Sequence, residues 1–316
     1  MASGKIMLLV NPAAGQGRGL KMLPRINNWI GKVSQQELAI ELFLTKKTGS
    51  FQATNLAYRA LTGNYDRIIA VGGDGTFSEL AQALAGSQLP LGLVMAGNGN
   101  DYARALGIPK NLEQALAVAL TGRVISVDLG QVNERIFVNM VGLGFDAQVA
   151  KLAEEQKKHW QFMPRTLLYL LALLRLLIFQ LRFPDLFISF DQTGNLSVPM
   201  ITGKITLLAI ANGQTCGGVF RMAPQAKLTD GLFDICRISQ ASRLRILKCL
   251  PAIFNGSHLK LPEVLTVAGG LPQTSWLVVS SLDNQPIACH LDGEIMPAGK
   301  QYVFKILPQA LKVVVP

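Results

Sequence analysis

The chain has 316 residues, 49% of them hydrophobic and 16% charged, which excludes a disordered chain and suits two domains with separate cores. Lysine and arginine outnumber aspartate and glutamate by 30 to 20, and the formal charge of +10 suits an anionic partner such as a phosphorylated small molecule or an acidic membrane surface. The basic residues are scattered, with no zinc-finger spacing and no arginines interleaved with aromatics, so nucleic acid is disfavoured as a partner.

The first predicted strand, Lys5–Val10, is an apolar run ending at a glycine-rich turn. Ile6–Val10 is too short for a signal-peptide core and runs straight into Asn11-Pro12, so a cytoplasmic chain is expected. Arg18–Ile30 has helical spacing, with Pro24 marking a kink or a late start. Leu38–Leu44 alternates like a strand, and Phe51–Leu61 reads as a helix closed by Gly63. Arg67–Val71 is a short buried strand, followed by Gly72-Gly73-Asp74-Gly75-Thr76 and the helix Phe77–Ala85. Leu91–Met95 repeats the pattern, meeting Gly97-Asn98-Gly99-Asn100-Asp101 and a further helix. Strands alternating with helices imply a parallel sheet covered on both faces, whose ligands sit beyond the carboxyl ends of the strands.

From about Val124 the rhythm changes to strands: Arg135–Val141, Leu186–Phe190, Ile205–Ala211, Phe233–Ile238, Val264–Val267, Trp276–Ser280 and Ile287–Leu291. Helical patterns remain only at Asp146–Lys158, Arg165–Leu181 and Ser242–Phe254. The expected architecture is an α/β first domain over residues 1–127 and a mostly antiparallel, sandwich-like second domain with helical insertions over 128–301. Residues 302–316 read as two strands around Pro308 that return to the first domain. Cys216, Cys236, Cys249 and Cys289 form no C-x-x-C pair and are expected as small buried residues in a reducing compartment.

The glycine turns carry the chemistry. In Gly72–Thr76 the glycines let the backbone approach phosphate oxygens, and free N–H groups at the helix start favour negative charge. An acid there, Asp74, makes sense if it holds magnesium or orients a phosphoryl group. Gly15, Gly17 and Gly19 do not have dinucleotide-fingerprint spacing, so that loop supports a hydride-transfer enzyme no better than a kinase. Asp230-Gly231 and Asp292-Gly293-Glu294 fit ordinary hairpin turns, and the second equally fits a base that takes a proton from an attacking hydroxyl. His159, His258 and His290 lack metal-ligand spacing and read as packing residues.

In order along the chain stand Asn11-Pro12-x-x-Gly15, Gly72-Gly73-Asp74-Gly75-Thr76, Gly97-x-Gly99-Asn100-Asp101-Tyr102-Ala103-Arg104, Ala223-Pro224 with Asp230-Gly231-Leu232-Phe233-Asp234, and Leu291-Asp292-Gly293-Glu294. This series resembles the bacterial diacylglycerol kinase family, the soluble lipid kinases with a diacylglycerol-kinase catalytic domain. The Gly-Gly-Asp-Gly-Thr turn alone is shared with NAD kinases and phosphofructokinases. The resemblance implies ATP as co-substrate, magnesium, and a nucleotide site between the two domains. It implies ATP contacts from Asn11, Pro12, Ala13, Ala14, Gly15, Thr45, Gly73, Asp74, Gly75, Thr76, Phe77, Ser78 and Glu79. Asn98 stands where the family usually has threonine or serine, and its amide can still donate and accept hydrogen bonds. The resemblance further implies a magnesium site of the Asp230 carboxylate with the backbone carbonyls of Lys227 and Leu232. Glu294 matches the family's general base, with Asp292 beside it. Two alternatives stay open: a kinase for a soluble acceptor such as NAD, and a non-catalytic nucleotide- or lipid-binding relative. The acceptor lipid and the oligomeric state are not encoded in any feature.

Phe162–Leu181 is long enough on paper to span a bilayer, at about 20 residues. Arg175 at its middle costs about 2.5–3.5 kcal/mol on insertion scales. A spanning segment would also put Gly72–Thr76 and Asp292–Glu294 on opposite sides of the membrane, and one active site could not form. The expectation is a helix packed on the second domain, either fully buried or touching the inner face of an anionic membrane with Arg175 and Arg182 at the headgroups.

Overall fold

The computed structural model describes residues 4–34, 38–45, 52–160, 165–190, 200–218, 220–267 and 270–316. The expected start of the second helix at Phe51, and Phe162–Pro164 of the hydrophobic segment, lie outside the described residues.

Strands β1 (Lys5–Val10), β2 (Ala39–Leu44), β3 (Arg67–Gly72) and β4 (Leu91–Met95) pair in parallel in the order β2-β1-β3-β4. The apolar runs of β1, β3 and β4 are buried almost throughout, because helices cover both faces of a parallel sheet. Those helices are α1 (Ala14–Val33), α2 (Gln52–Thr62), α3 (Asp74–Leu84), the short α4 (Asp101–Ala105) and α5 (Leu112–Thr121). Helix α1 runs through Pro24 to Val33, but its first turn is not helical: Gly15, Gln16 and Gly17 all have positive φ. The regular spiral therefore begins near Arg18, and the residues before it form a left-handed loop.

The second half contains β5 (Arg123–Val132), β6 (Arg135–Phe137), β7 (Met140–Gly144), β8 (Asp185–Ser189), β9 (Met200–Ala211), β10 (Phe233–Ser239), β11 (Gln273–Thr274), β12 (Trp276–Ser281), β13 (Ile287–Leu291), β14 (Glu294–Gly299) and β15 (Gln301–Val315). Every pairing among them is antiparallel. Two layers enclose a core that includes Phe137, Leu143, Ile210, Phe233, Leu277 and Phe304, giving the sandwich. Two expectations need correcting. Arg135–Val141 is not one strand but two, broken at Val138-Asn139, where the backbone turns to meet another element. Val264–Val267 is not a strand, because it makes only isolated bridges at its two ends.

Strand β15 links the two halves. Gln301–Lys305 pairs with β12, whereas Val313 and Val314 pair in parallel with Leu91 and Gly92 of β4. Between them the strand is irregular from Leu307 to Leu311, with Gln309 at φ 52°. Helices α6 (Phe145–His159), α7 (Arg165–Arg175) and α8 (Arg243–Asn255) lie on the sandwich, and a π turn over Leu176–Gln180 extends α7. The leucine-rich helix buries one face, through Leu168, Ala172, Leu176 and Leu177, and exposes the other. No helix among the described residues is long and apolar enough to cross a membrane.

Candidate active site

Three glycine turns at the carboxyl ends of β1, β3 and β4 fuse into one surface. A Cβ on Gly15 would lie 2.1 Å from the Ala96 carbonyl oxygen, and one on Gly97 would lie 2.6 Å from the Gly73 Cα. Only glycine permits these backbones to touch, and at Gly15 the φ of +58° adds a second reason. Side chains complete the weld. The Arg18 guanidinium donates to the Gly97 carbonyl at 2.7 Å, and the Asn11 amide donates to the Thr76 hydroxyl at 2.9 Å. Asn100, at φ 53°, closes its own turn by exchanging hydrogen bonds with Gly97.

Helix α3 begins on this surface without a side-chain cap, so its first N–H groups are open to an anion. Asp74 occupies its first turn and accepts a hydrogen bond from the Tyr102 N–H at 3.2 Å. Burial pushes its pKa up to about 6, and the nearby carboxylates of Asp101 and then Asp292 push the same way. Asp101 is nearly buried and accepts from Arg104 at 2.6 Å, the Thr215 hydroxyl at 2.7 Å and the Gly218 N–H at 2.8 Å. It thereby ties the first domain to the 213–218 loop of the second.

The facing wall is the β13–β14 hairpin. Asp292 (φ 49°) and Gly293 (φ 85°) form a two-residue turn in the mirror-image conformation that such hairpins require. The Asp292 carboxylate accepts the N–H groups of Val138, Asn139 and Met140 at 2.9, 2.9 and 3.0 Å, and also a hydrogen bond from Ser78 of α3. Burial raises its pKa against those donors. Glu294, by contrast, is exposed and pairs with Arg135 at 3.3 Å. Its charge contributes to raising the pKa of Glu79, whose main cause is burial, so α3 and the hairpin face each other across the cleft.

The expected site residues thus divide. Asn11, Gly15, Gly73, Asp74, Gly75, Thr76 and Asn98 lie on the fused turns, with Gly75 and Asn98 exposed. Pro12, Ala13 and Ala14 form the loop beside them, and Thr45 is buried at the end of β2, its N–H bonded to the Val10 carbonyl. Phe77 is fully buried in the core, so only its backbone can face a ligand. Ser78 reaches Asp292, and Glu79 caps α2 by accepting the Ala53 N–H at 3.0 Å. Asp230, Lys227 and Leu232 lie in the turn that leads into β10. Asp230 is exposed and accepts the Leu232 N–H at 3.1 Å, and its charge and that of Lys227 both act on Asp234.

Five residues escape a sequence reading focused on glycine turns. Asp101 stands in a quoted motif without an assigned role, yet it is the cross-domain tie. Asp128 is almost wholly buried in β5 and accepts the N–H groups of Gly231 and Gln309, each at 2.7 Å, at the kink of β15. Its only signal is an acid inside an apolar strand. Asp146 and His290 pair at 3.0 Å; burial lowers the His290 pKa, but the Asp146 charge, the hydrogen bond to it and the Asp292 charge together leave it raised. Cys216 is surrounded by Asp146, Asp101, Asp292 and Asp74, and burial followed by these charges pushes its thiol pKa up.

A hard cation fits this donor set. Asp74 and Asp101 offer carboxylate oxygens beside open backbone N–H groups, the combination magnesium uses when substrate phosphates supply its remaining ligands. No group of three His, Cys, Asp or Glu side chains able to hold a metal ion occurs among the described residues.

Comparison with known proteins agrees. Residues 5–132 match the diacylglycerol kinase catalytic domain, and residues 139–315 match the YegS C-terminal NAD kinase beta sandwich-like domain. The chain belongs to the diacylglycerol kinase and YegS-like lipid kinase family. Within it, the chain is 32% identical over 289 residues to a Pseudomonas aeruginosa protein named "Probable lipid kinase YegS-like", covering 90% of this chain and 87% of that one. It is 29% identical over 306 residues to a diacylglycerol kinase of Mycobacterium tuberculosis, covering 94% of each. A crystal structure of a diacylglycerol kinase from Bacillus anthracis superposes with a TM-score of 0.72 at 20% identity, covering 99% of this chain and 97% of that one, and shares its fold.

Proposed function

We propose that the chain transfers the γ-phosphoryl group of ATP, with magnesium, to a lipid hydroxyl, and that the acceptor is diacylglycerol, giving phosphatidic acid. One observation carries this reading: Asp74, Asp101 and the Asp292–Glu294 hairpin converge, from two domains, on a surface of fused glycine turns. The turns 11–17, 72–76 and 97–101 would receive the nucleotide phosphates through backbone N–H groups. Asp74 and Asp101 would hold the cation, and the exposed Asp230 with the carbonyls of Lys227 and Leu232 a second one. Bound magnesium would neutralise charge on the β- and γ-phosphates.

Glu294 would take the proton of the attacking hydroxyl as its oxygen bonds to phosphorus and the bond to the β-phosphate oxygen breaks, releasing ADP. Its exposure in the cleft and, among the described residues, its single ion pair, with Arg135, keep it accessible to a substrate. Asp292, committed to three backbone N–H groups, would hold the hairpin and so aim Glu294. Asp74, with a pKa near 6, is the alternative base, since its proton affinity lies closer to working pH.

Support for a lipid acceptor comes from the names of the relatives and from the apolar helical layer beside the hairpin, where α6 leads from Asp146 toward α7. The test is phosphoryl transfer from labelled ATP in mixed micelles, with magnesium, to a panel of diacylglycerol, long-chain bases, ceramides, polyprenols and NAD. Labelled phosphatidic acid is expected. Label in NAD and in no lipid would replace the reading with a soluble-acceptor kinase; tight ATP binding without transfer would replace it with a non-catalytic one.

A further inference from the structure

Helix α7 is apolar on both faces. While Leu168, Ala172, Leu176 and Leu177 pack inward, Leu167, Leu170, Leu171, Leu174, Ile178 and Phe179 point to solvent, with Leu170 50%, Ile178 56% and Phe179 76% exposed. The spacing i, i+3, i+4, i+7, i+11 makes this one outward stripe, and the π turn adds a second adjacent apolar residue at its end. A soluble surface helix would carry polar residues there.

Helix α8 repeats the arrangement. Ile246, Cys249 and Ile253 are buried, and Leu244, Leu247 and Phe254 are exposed, Leu244 by 73%. Ile246 belongs to the same apolar cluster as Leu176 and Leu177, so the two outward stripes border one helical layer. Neither helix contains an acidic residue. Arg175, Arg182, Arg243 and Lys248 are exposed at the margins, and among the described residues none of the four is in an ion pair.

We infer that the outward stripes of α7 and α8 form a docking face that lies in the interface of an anionic membrane, leucines among the acyl chains and the four cations at the headgroups. Charge decides the occupant. A second copy seated on this face would bring two sets of cations to one interface with no acid on either helix to pair them, whereas an anionic bilayer complements them while accepting the leucines. A helix lying in the plane, with one face on the protein, needs no span. Docking would hold the cleft, whose hairpin and α6 adjoin this layer, against the surface that contains the acceptor. The inference draws its motive from the lipid-kinase reading but not its evidence, and the two fail separately.

The full chain is sedimented with vesicles of phosphatidylcholine, or of phosphatidylcholine with phosphatidylglycerol, without nucleotide or acceptor lipid. Wild type is expected to bind the anionic vesicles about tenfold more tightly than the neutral ones. Leu171→Ser with Leu174→Ser and Ile178→Ser is expected to weaken binding by more than about tenfold, as is Leu244→Ser with Leu247→Ser on the other helix. Arg175→Gln with Lys248→Gln should remove most of the anionic preference. Unfolding temperature and transfer to a short-chain acceptor dispersed as monomers should stay at the wild-type level in the serine variants; α8 supplies the test if the α7 variant does not fold. Unchanged vesicle binding in the folded serine variants, equal binding to neutral vesicles, or a dimer in sedimentation velocity that the serines dissociate would each overturn the inference. Vesicle binding without transfer to any lipid would refute the proposed function and leave the docking face standing.

Discussion

Replacing Asp74 by asparagine should stabilise the ligand-free protein while abolishing its chemistry. Burial, with Asp101 and Asp292 close by, lifts the Asp74 pKa from 3.8 to about 6. At 1.36 kcal/mol per unit the ionised side chain costs about 3 kcal/mol in the folded state. The folded protein therefore holds a proton between about pH 4 and 6 that the unfolded chain has released, so wild-type stability falls as pH rises through that window and the full penalty is present above it. Asparagine keeps the acceptor for the Tyr102 N–H and has nothing to titrate. At about pH 8 the variant should melt about 6 °C higher than wild type, taking roughly 2 °C per kcal/mol for a chain of this length, and near pH 4 the gain should vanish. Calorimetry of both proteins across that range, without magnesium or nucleotide, is the assay. An equal gain at both ends, or a loss at pH 8, would refute the claim that crowded carboxylates hold strain at this site.

Glu294→Gln should cut turnover in the micelle assay by more than about 100-fold with little change in the KM for ATP; retained turnover with an acid limb near pH 6 would transfer the role of base to Asp74. Gly15→Ala, whose Cβ would strike the Ala96 carbonyl, should cost more than about 2 kcal/mol and weaken ATP binding in calorimetric titration. Gly17→Ala, at φ +93° but with no protein atom near its Cβ, should cost only about 1 kcal/mol, read as a smaller fall in melting temperature than that of Gly15→Ala. Asp128→Asn would turn an amide donor toward the Gly231 or Gln309 N–H and should cost about 2–4 kcal/mol, read as a lower melting temperature.

Where the chain dictates structure through local pattern, the sequence was readable. β1, β3 and β4 are uninterrupted apolar runs stopped by glycine turns, and two-sided burial leaves no other arrangement for them. The Asp292-Gly293 turn was equally plain, because only residues tolerant of positive φ suit that hairpin. What stayed hidden depends on partners distant in the chain. Arg135–Val141 looks like a single strand until Asp292, more than 150 residues on, draws three of its N–H groups into a bend. β5 passes from exposed to buried along its length instead of alternating, so neither period shows. Asp101 and Asp128 are single acids whose meaning lies in the N–H groups they meet, and single residues have no period.

The path of β15 bears on how the molecule is made. The parallel sheet of the first domain is flanked beyond β4 by Val313 and Val314, almost the last residues of the chain. On a ribosome, the amino-terminal half emerges with β4 as an unpaired, fully buried type of strand edge, and its final neighbour arrives more than 200 residues later. That half must wait through synthesis of the whole sandwich with a sticky border uncovered, and loss of only the last few residues should strand it there, prone to aggregate although every glycine turn is intact.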